Sequence, residues 1–297
     1  MQIDFPPEFD IRYYQEIYPE LNGIPDEAVV IEHARRYAEE QGHSTCILDR
    51  SEYLRAFLKS LISENPIKVL EIGPYDNPTC IGENVKYFDV HDEKTLEKMA
   101  LEAQRPFKNT PKKIHYVEPT GNLKIVNEKF DMVFSSHCIE HQPDLISHLQ
   151  NVGDILNDGG YYVLLIPDKR YCFDHFRSET TIFEVIDAHV NSRSLHTFKS
   201  IAENECLHTH NNSVLHWFGV HGSNEISNEN FIRSTEIYGK SMSGGGYVDV
   251  HAWCFTPKVF GGIIEKLNQL GLINLQMHRL CHTVWGRFEF TAVLKKV

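Results

Sequence analysis

The sequence predicts an α/β fold in which a mostly parallel sheet carries helices on both faces. Short apolar runs alternate with amphipathic helical stretches between about 67 and 167, as strand–helix–strand crossovers require. The first run stops at a tight turn that contains Gly73. After a long irregular region, one more helix precedes two adjacent strands, which is typical of a sheet whose last strand is antiparallel.

We expect seven strands in this sheet. Their approximate ranges are 67–72, 85–90, 113–117, 130–136, 161–167, 272–279 and 286–295. Apolar residues at helical spacing predict helices near 54–62, 93–104, 143–156 and 257–270. The run Asn157-Asp158-Gly159-Gly160 is expected to stop the third of these helices.

Composition divides the chain into unequal parts. Residues 1–48 are predicted to form a small helical module, and 49–297 a second domain. Within that domain, 168–250 is rich in His and Asn, and we expect it to be an insertion that acts as a lid.

Charge and hydropathy exclude several classes of function. The net charge of −12 argues against nucleic-acid binding, because such proteins carry basic stripes. No apolar run reaches the roughly 20 residues of a membrane span, and the first residues do not resemble a signal peptide. The seven cysteines form no CxxC pair, so we expect reduced thiols and a cytoplasmic location.

The segment IKVLEIGPYDNP (67–78) predicts a nucleoside site. A buried strand ends at Glu71, and Asp89 ends the next strand, where a carboxylate accepts hydrogen bonds from both ribose hydroxyls. The three-glycine fingerprint that binds a pyrophosphate is missing. The cofactor is therefore expected to lack phosphates, and S-adenosylmethionine is the leading candidate.

Four motifs carry a family resemblance. They are LEIGPYDNP, VKYFDVHDEKTLEKM, FDMVFSSHCIEHQPDLISHLQNVGDILNDGG and LLIPDKRYCFD. Together they resemble class I S-adenosylmethionine-dependent methyltransferases, and most closely a bacterial subgroup found with surface-polysaccharide glycosyltransferases. The likeness is strong over 65–175 and weaker over 247–297. It implies a Rossmann-like seven-stranded sheet, O-methylation of a sugar hydroxyl in a polysaccharide or its precursor, and a glycosyltransferase partner or a homo-oligomer.

The resemblance also assigns a cofactor site residue by residue. The first loop would contain Glu71, Gly73, Pro74 and Tyr75, the ribose would meet Asp89 and Val90, the adenine would lie near Glu118 and Leu123, and the methionine end would meet Ser136 and His137. The chain departs from the superfamily pattern where Tyr75 and Asp76 replace glycines. The subgroup shares this departure.

A hydroxyl acceptor gains from a general base, and histidine is the side chain best suited to that role. His141, in the Glu-His pair after the fourth strand, is one candidate; the alternative is a histidine bonded to backbone at a helix start. Asp168 is predicted to bind a substrate hydroxyl or to orient a histidine, unless it belongs to a solvated turn. His175 and His189 lie in the insertion and are equally compatible with satisfied core positions.

The alternatives to this interpretation are metal binding and two other functions. Cys206, His208 and His210 alternate near His216 and His221, but nothing completes a familiar ligand spacing, so no metal is predicted. The rival functions are methylation of another small-molecule acceptor and a non-catalytic scaffold for a glycan-assembly complex. In the scaffold, residues 1–48 would dock onto a glycosyltransferase.

Overall fold

A computed structural model describes residues 3–7, 9–21, 24–105, 109–245 and 248–297. The strands within these ranges are β1 (Val69–Ile72), β2 (Val85–Asp89), β3 (Tyr116–Val117), β4 (Phe130–Ser136), β5 (Leu156–Pro167), β6 (Leu275–Leu280) and β7 (Glu289–Lys296). They form one sheet in the order β3-β2-β1-β4-β5-β7-β6. The predicted Rossmann-like sheet is confirmed.

Strand direction brings the predicted cofactor loops to one edge of the sheet. β1 pairs in parallel with β2 and β4, β2 with β3, and β4 with β5. β7 runs antiparallel to both β5 and β6, as predicted for the last strand. The carboxyl ends of the five parallel strands therefore share the edge at which such sheets bind ligands.

Helices precede, connect and follow the strands. The α-helices of the described residues are α1 (Ile11–Ile17), α2 (Glu27–Gln41), α3 (Ser51–Glu64), α4 (Glu93–Glu102), α5 (Leu145–Ile155), α6 (Ile182–Val190), α7 (Phe198–Leu207), α8 (Ser213–Trp217), α9 (Asn228–Lys240) and α10 (Pro257–Gln269). None of these helices combines the length and the apolar character needed to cross a bilayer.

Apolar cores cover both faces of the sheet. On one face, α5, α6 and α10 contribute buried residues such as Leu149, Val185 and Phe260. On the other face, α3 packs together with Ile3 and Phe5 from the start of the chain. The N-terminal helices also have a small cluster of their own, composed of Tyr14, Leu21, Val30 and Ala34. Burying each large apolar side chain stabilises the fold by roughly 1.5–3 kcal/mol.

The helix before β5 ends close to its predicted end, but the predicted stop signal at 157–160 is not what ends it. α5 ends at Ile155, and the chain enters β5 at once, so 157–160 lie within the strand. Phe130 pairs with Leu156 while Met132 pairs with Tyr161, so the extra residues form an irregularity in the ladder. Gly159 adopts a φ of +74° there, which a glycine tolerates without strain.

The insertion at 168–250 is more ordered than its polar composition indicated. It contains α6 to α9, and α6 packs into the core of the sheet. Each of these helices begins at a polar residue whose side chain accepts a backbone N–H bond. These residues are Thr181, Thr197, Asn212 and Ser227. These four polar residues of the insertion are thus helix caps.

Candidate functional site

The loop after β1 is fastened by a buried carboxylate. Glu71 accepts hydrogen bonds from the backbone N–H groups of Thr79 and Cys80, both at 2.8 Å. Burial raises the pKa of Glu71 to about 7. Arg55 bonds to Thr79 and donates to Ser136 Oγ at 2.9 Å, which ties this loop to the end of β4.

Gly73 and Tyr75 explain how a loop with few glycines makes the turn. Gly73 has a φ of +68°, and a Cβ there would lie 2.4 Å from Cys138 Sγ, so the turn lies directly on the loop after β4. Pro74 is buried. Tyr75 adopts a φ of +43°, in the left-handed region that glycine adopts most readily. Its ring centroid lies 5.4 Å from the Arg105 guanidinium, at a distance typical of a cation–π contact.

The predicted ribose acid lies at the end of β2 beside this turn. Asp89 is 6% exposed and accepts a hydrogen bond from the His91 N–H at 3.0 Å. Burial raises the pKa of Asp89, although backbone N–H groups, including that of Tyr75, act in the opposite direction. These backbone bonds hold its carboxylate at the carboxyl end of β2, where the ribose is predicted to bind.

The predicted adenine region is formed by three loops that meet. Glu118 accepts hydrogen bonds from the N–H groups of Thr120 and Asn122 and so shapes the loop after β3. Leu123, in the next turn, is buried. A Cβ at Gly121 would lie 4.0 Å from Val90 and 3.5 Å from Gln142, so the loops after β2, β3 and β4 adjoin.

At the predicted methionine end of the cofactor site, the side chain of His137 contacts the carboxylate of Glu289. His137 has a φ of +54°, and its Nε2 lies 2.7 Å from Glu289 Oε2 at the start of β7. Burial alone would lower the pKa of His137, but Glu289 and Glu140 outweigh it and raise that pKa. One third of the His137 side chain is exposed, so it faces the open edge of the sheet.

Beyond this end lies a set of residues that we call the Glu140 cluster: Glu140, His141 and His251, with the carboxylates of Asp174 and Asp249. The Glu140 carbonyl accepts hydrogen bonds from the N–H groups of Ala252 and Trp253, at 2.7 and 3.1 Å. This pairing fastens the segment after the insertion to the turn after β4. The rings of His141 and His251 meet edge to face, with centroids 4.6 Å apart.

Carboxylates fix both imidazoles of the cluster. His141 Nδ1 lies 3.0 Å from Asp249 Oδ1, and His251 Nδ1 lies 2.5 Å from Asp174 Oδ2. Burial opposes ionisation of Asp174, but His251 and Arg177 lower its pKa to about 2. Arg177 contacts Asp174 Oδ1 at 2.7 Å and is itself buried.

The other predicted catalytic residues make contacts elsewhere. Asp168 is fully buried, and its carboxylate accepts hydrogen bonds from Arg170 and Thr283. His189 Nδ1 lies 3.1 Å from Asp144, the residue that caps α5. His175 Nδ1 lies 2.7 Å from the Arg170 carbonyl, and its ring stacks on another histidine. These contacts hold turns and helices together.

His141 is the member of this cluster that the sequence predicts as a catalytic residue, whereas Glu140, Asp174 and Asp249 were not predicted. The adjacent Glu-His pair was the available signal for Glu140. Asp174 follows the RYCF run, and Asp249 lies two residues before His251. Their convergence depends on contacts across more than 70 residues of sequence, such as the bond between Asp174 and His251.

The chain matches a known protein family. A family model described as a methyltransferase domain matches residues 32–207, more than half of the chain. No curated protein matches the sequence.

Solved structures similar to this chain include three methyltransferases. The CcbJ methyltransferase from Streptomyces caelestis is 10% identical, with 82% of this chain and 93% of that chain covered and a TM-score of 0.41. Magnesium protoporphyrin IX methyltransferase from Synechocystis, solved with bound S-adenosylhomocysteine, is 9% identical, with 83% and 81% covered and a TM-score of 0.36. A SAM-dependent methyltransferase from Aquifex aeolicus is 11% identical, with 84% and 95% covered and a TM-score of 0.38.

Proposed function

Since this chain belongs to the methyltransferase domain family, we propose that it transfers a methyl group to a hydroxyl oxygen of a sugar, in a polysaccharide or its precursor. The cofactor is S-adenosylmethionine, which supplies an electrophilic methyl group on its sulfonium sulfur. The residues at the strand ends fit this cofactor. The carboxylate of Asp89 at the end of β2 supports a ribose at this edge and disfavours a pyrophosphate, while Glu71 holds the first loop.

Transfer to oxygen is supported by the Glu140 cluster, which is the observation on which this proposal rests. Glu140 and His141 lie in the connection that begins at His137, directly after Ser136 ends β4. A hydroxyl must lose its proton as its oxygen attacks the methyl carbon, so a site for it needs groups that accept the proton or bind the oxygen. Imidazoles held by carboxylates provide such groups. Orientation of the acceptor toward the methyl carbon supplies much of the remaining rate.

A sugar acceptor is supported by exposed aromatic rings beside the same edge of the sheet. Phe218 and Trp285 are 68% and 50% exposed and meet edge to face at 5.8 Å. The loop that contains Trp285 continues to Phe288, whose ring lies 5.5 Å from that of His137. Sugar rings present C–H faces that stack on aromatic rings, and an exposed aromatic pair is a common mark of a binding surface.

Calorimetry with S-adenosylhomocysteine tests the cofactor part of the proposal. The wild-type chain is expected to bind one equivalent, and Asp89→Ala is expected to weaken binding at least tenfold, because two ribose hydrogen bonds are lost, each worth about 1 kcal/mol or more. Val297→Ala, at the exposed end of the chain, is the matched control. Absence of binding by the wild type would contradict the proposal.

A methyl-transfer assay tests the acceptor. Nucleotide sugars and glycan fragments are offered alongside amines and small catechols, and consumption of S-adenosylmethionine is measured. We expect turnover with a sugar, and Trp285→Ala is expected to raise KM for that sugar while leaving affinity for S-adenosylhomocysteine unchanged. Turnover confined to the amines, or none with any acceptor while the cofactor binds, would favour the rival acceptor or the scaffold.

Location and partners belong to the same proposal. All seven cysteines are free thiols, which supports a reducing compartment such as the cytoplasm. We propose a glycosyltransferase or a second copy of the chain as the partner, with the N-terminal segment as the docking element.

A further inference from the structure

Glu140 is a buried acid whose side chain makes no hydrogen bond within the described part of the chain. Its exposure is 0%, and both carboxylate oxygens are without a hydrogen-bond partner. Burying an ionised carboxylate without compensation is among the most expensive arrangements in a protein. A group of opposite charge is therefore expected at these oxygens.

Three imidazole nitrogens surround this carboxylate at nearly equal distance. Glu140 Oε1 is 3.7 Å from His137 Nδ1, 3.8 Å from His141 Nε2 and 3.8 Å from His251 Nε2. Direct N–H···O hydrogen bonds span about 2.7–3.2 Å, so these separations are too long for them. Two ligand atoms each about 2.1 Å from one metal ion lie roughly 3.0–4.2 Å apart. The observed distances fall in that range.

In each of these histidines, the other ring nitrogen contacts a carboxylate. The pairs are His137 Nε2 with Glu289 at 2.7 Å, His141 Nδ1 with Asp249 at 3.0 Å, and His251 Nδ1 with Asp174 at 2.5 Å. This is the arrangement that metal-binding histidines adopt, because the carboxylate fixes the tautomer and aims the other ring nitrogen at the ion. Three rings arranged in the same way around one acid indicate a shared centre.

We propose that Glu140, His141 and His251 bind one divalent first-row transition-metal ion. Their ligand atoms all lie within 4.8 Å of one another. Two imidazoles and a carboxylate suit Zn²⁺ or Fe²⁺ and leave coordination positions open for oxygen ligands. His137 lies beside Glu140 and lines the more exposed side of the centre.

The charges around the centre favour a cation. Glu140, Asp174, Asp249 and Glu289 are acidic, whereas Arg177 forms an ion pair with Asp174 and Arg55 acts on Glu289 from a greater distance. The surplus of negative charge favours a divalent ion in this partly buried place.

Two other groups of potential ligands fit a metal less well. In the group of His175, His216 and His221, both ring nitrogens of His216 have hydrogen-bond partners within the chain: Nδ1 lies 3.0 Å from His221 Nδ1, and Nε2 lies 3.0 Å from the His210 carbonyl. In the group of Cys46, Asp49 and Cys281, Asp49 accepts hydrogen bonds from two backbone N–H groups. Their ligand atoms are thus engaged within the chain.

The role of the ion rests on the proposed function. An acceptor hydroxyl bound at an open position would have a lowered pKa and would pass its proton to solvent. Its oxygen then forms a bond to the methyl carbon while the carbon–sulfur bond breaks, and S-adenosylhomocysteine leaves. His141 would then hold the ion rather than act as a free base.

Metal binding is measurable without any methyl transfer. The full chain is stripped with a chelator and titrated with Zn²⁺ or Co²⁺ alone, with metal content measured by mass spectrometry and the Co²⁺ site observed through its visible absorption. We expect one equivalent. Glu140→Gln and His251→Gln are each expected to weaken binding at least 100-fold, and Asp249→Asn about tenfold, the lower end of the effect of losing an orienting carboxylate.

His221→Gln is the matched control, because it removes a histidine from the competing group. This variant is expected to bind one equivalent of metal, as the wild type does. Asp249 is largely exposed, so Asp249→Asn keeps the test valid if a buried variant fails to fold. Failure of the wild-type chain to bind either metal, or loss of metal in His221→Gln with retention in Glu140→Gln, would overturn the proposal. Affinity for S-adenosylhomocysteine, measured on the same samples, reports separately on the proposed function.

Discussion

The buried histidine of α5 makes stability depend on pH in a way that can be calculated. His148 is fully buried, its Nε2 lies 3.0 Å from Tyr162 OH, and Tyr162 OH in turn lies 2.8 Å from Ser135 Oγ. Its Nδ1 has no hydrogen-bond partner within the described residues. Burial lowers the pKa of His148 to about 4. The folded chain therefore keeps this imidazole neutral.

The direction in which pH changes the stability follows from proton linkage. The unfolded chain binds the proton near pH 6.5 and the folded chain only near pH 4, so stability falls as pH drops through this window. At 1.36 kcal/mol per pKa unit, the full loss is about 3 kcal/mol, and about 2 kcal/mol is already lost at pH 5.

The test compares the wild type with His148→Gln, whose amide still bonds to Tyr162 OH but does not titrate. Free energies of unfolding are measured with urea from pH 7.5 to pH 5. The wild type is expected to lose about 2 kcal/mol more than the variant over this range. His208→Gln, at an exposed histidine, controls for the substitution itself. Parallel pH profiles for wild type and His148→Gln would refute the reasoning.

Two further predictions concern the first loop and the start of the chain. Gly73→Ala places a Cβ against Cys138 Sγ at a residue with left-handed φ, so it is expected to lower the free energy of unfolding by about 1–3 kcal/mol and to weaken S-adenosylhomocysteine binding. The control is Gly262→Ala, which lies in open space on α10 and is expected to be neutral or slightly stabilising. Equal melting temperatures for the two variants would contradict the prediction. Phe5→Ala removes a 5% exposed ring that meets Tyr161 edge to face, and a loss of about 3 kcal/mol in a single unfolding transition is expected. If calorimetry shows a second, smaller unfolding transition and Phe5→Ala shifts that transition alone, the start of the chain folds on its own.

Local patterns sufficed for the sheet because its strands are short, apolar and bounded by turn residues. The strands around Glu71 and Asp89 lie within a residue or two of their predicted ranges. The helices of the insertion were not predicted, because cap residues such as Thr181 and Ser227 are also common in loops.

The acceptor side of the site could not be predicted in the same way. His141 and His251 are far apart in sequence, and only the folded insertion brings the carboxylate of Asp174 to His251. Asp168, directly after a strand, was predicted to bind a substrate hydroxyl or to orient a histidine, and spacing gave no sign that its carboxylate accepts hydrogen bonds from Arg170 and Thr283. Spacing along the chain predicts which loops share an edge, but the pairing of side chains depends on tertiary contacts.

Transfer of a labelled methyl group tests the central claim most directly. The chain is incubated with S-adenosylmethionine carrying a ¹³C-methyl group and with a mixture of nucleotide sugars and glycan precursors, and the product is examined by NMR. The proposed function predicts one new methyl signal on a sugar oxygen, with S-adenosylhomocysteine formed in equal amount. A labelled methyl on nitrogen or carbon would contradict it, as would a cofactor that binds but is never consumed.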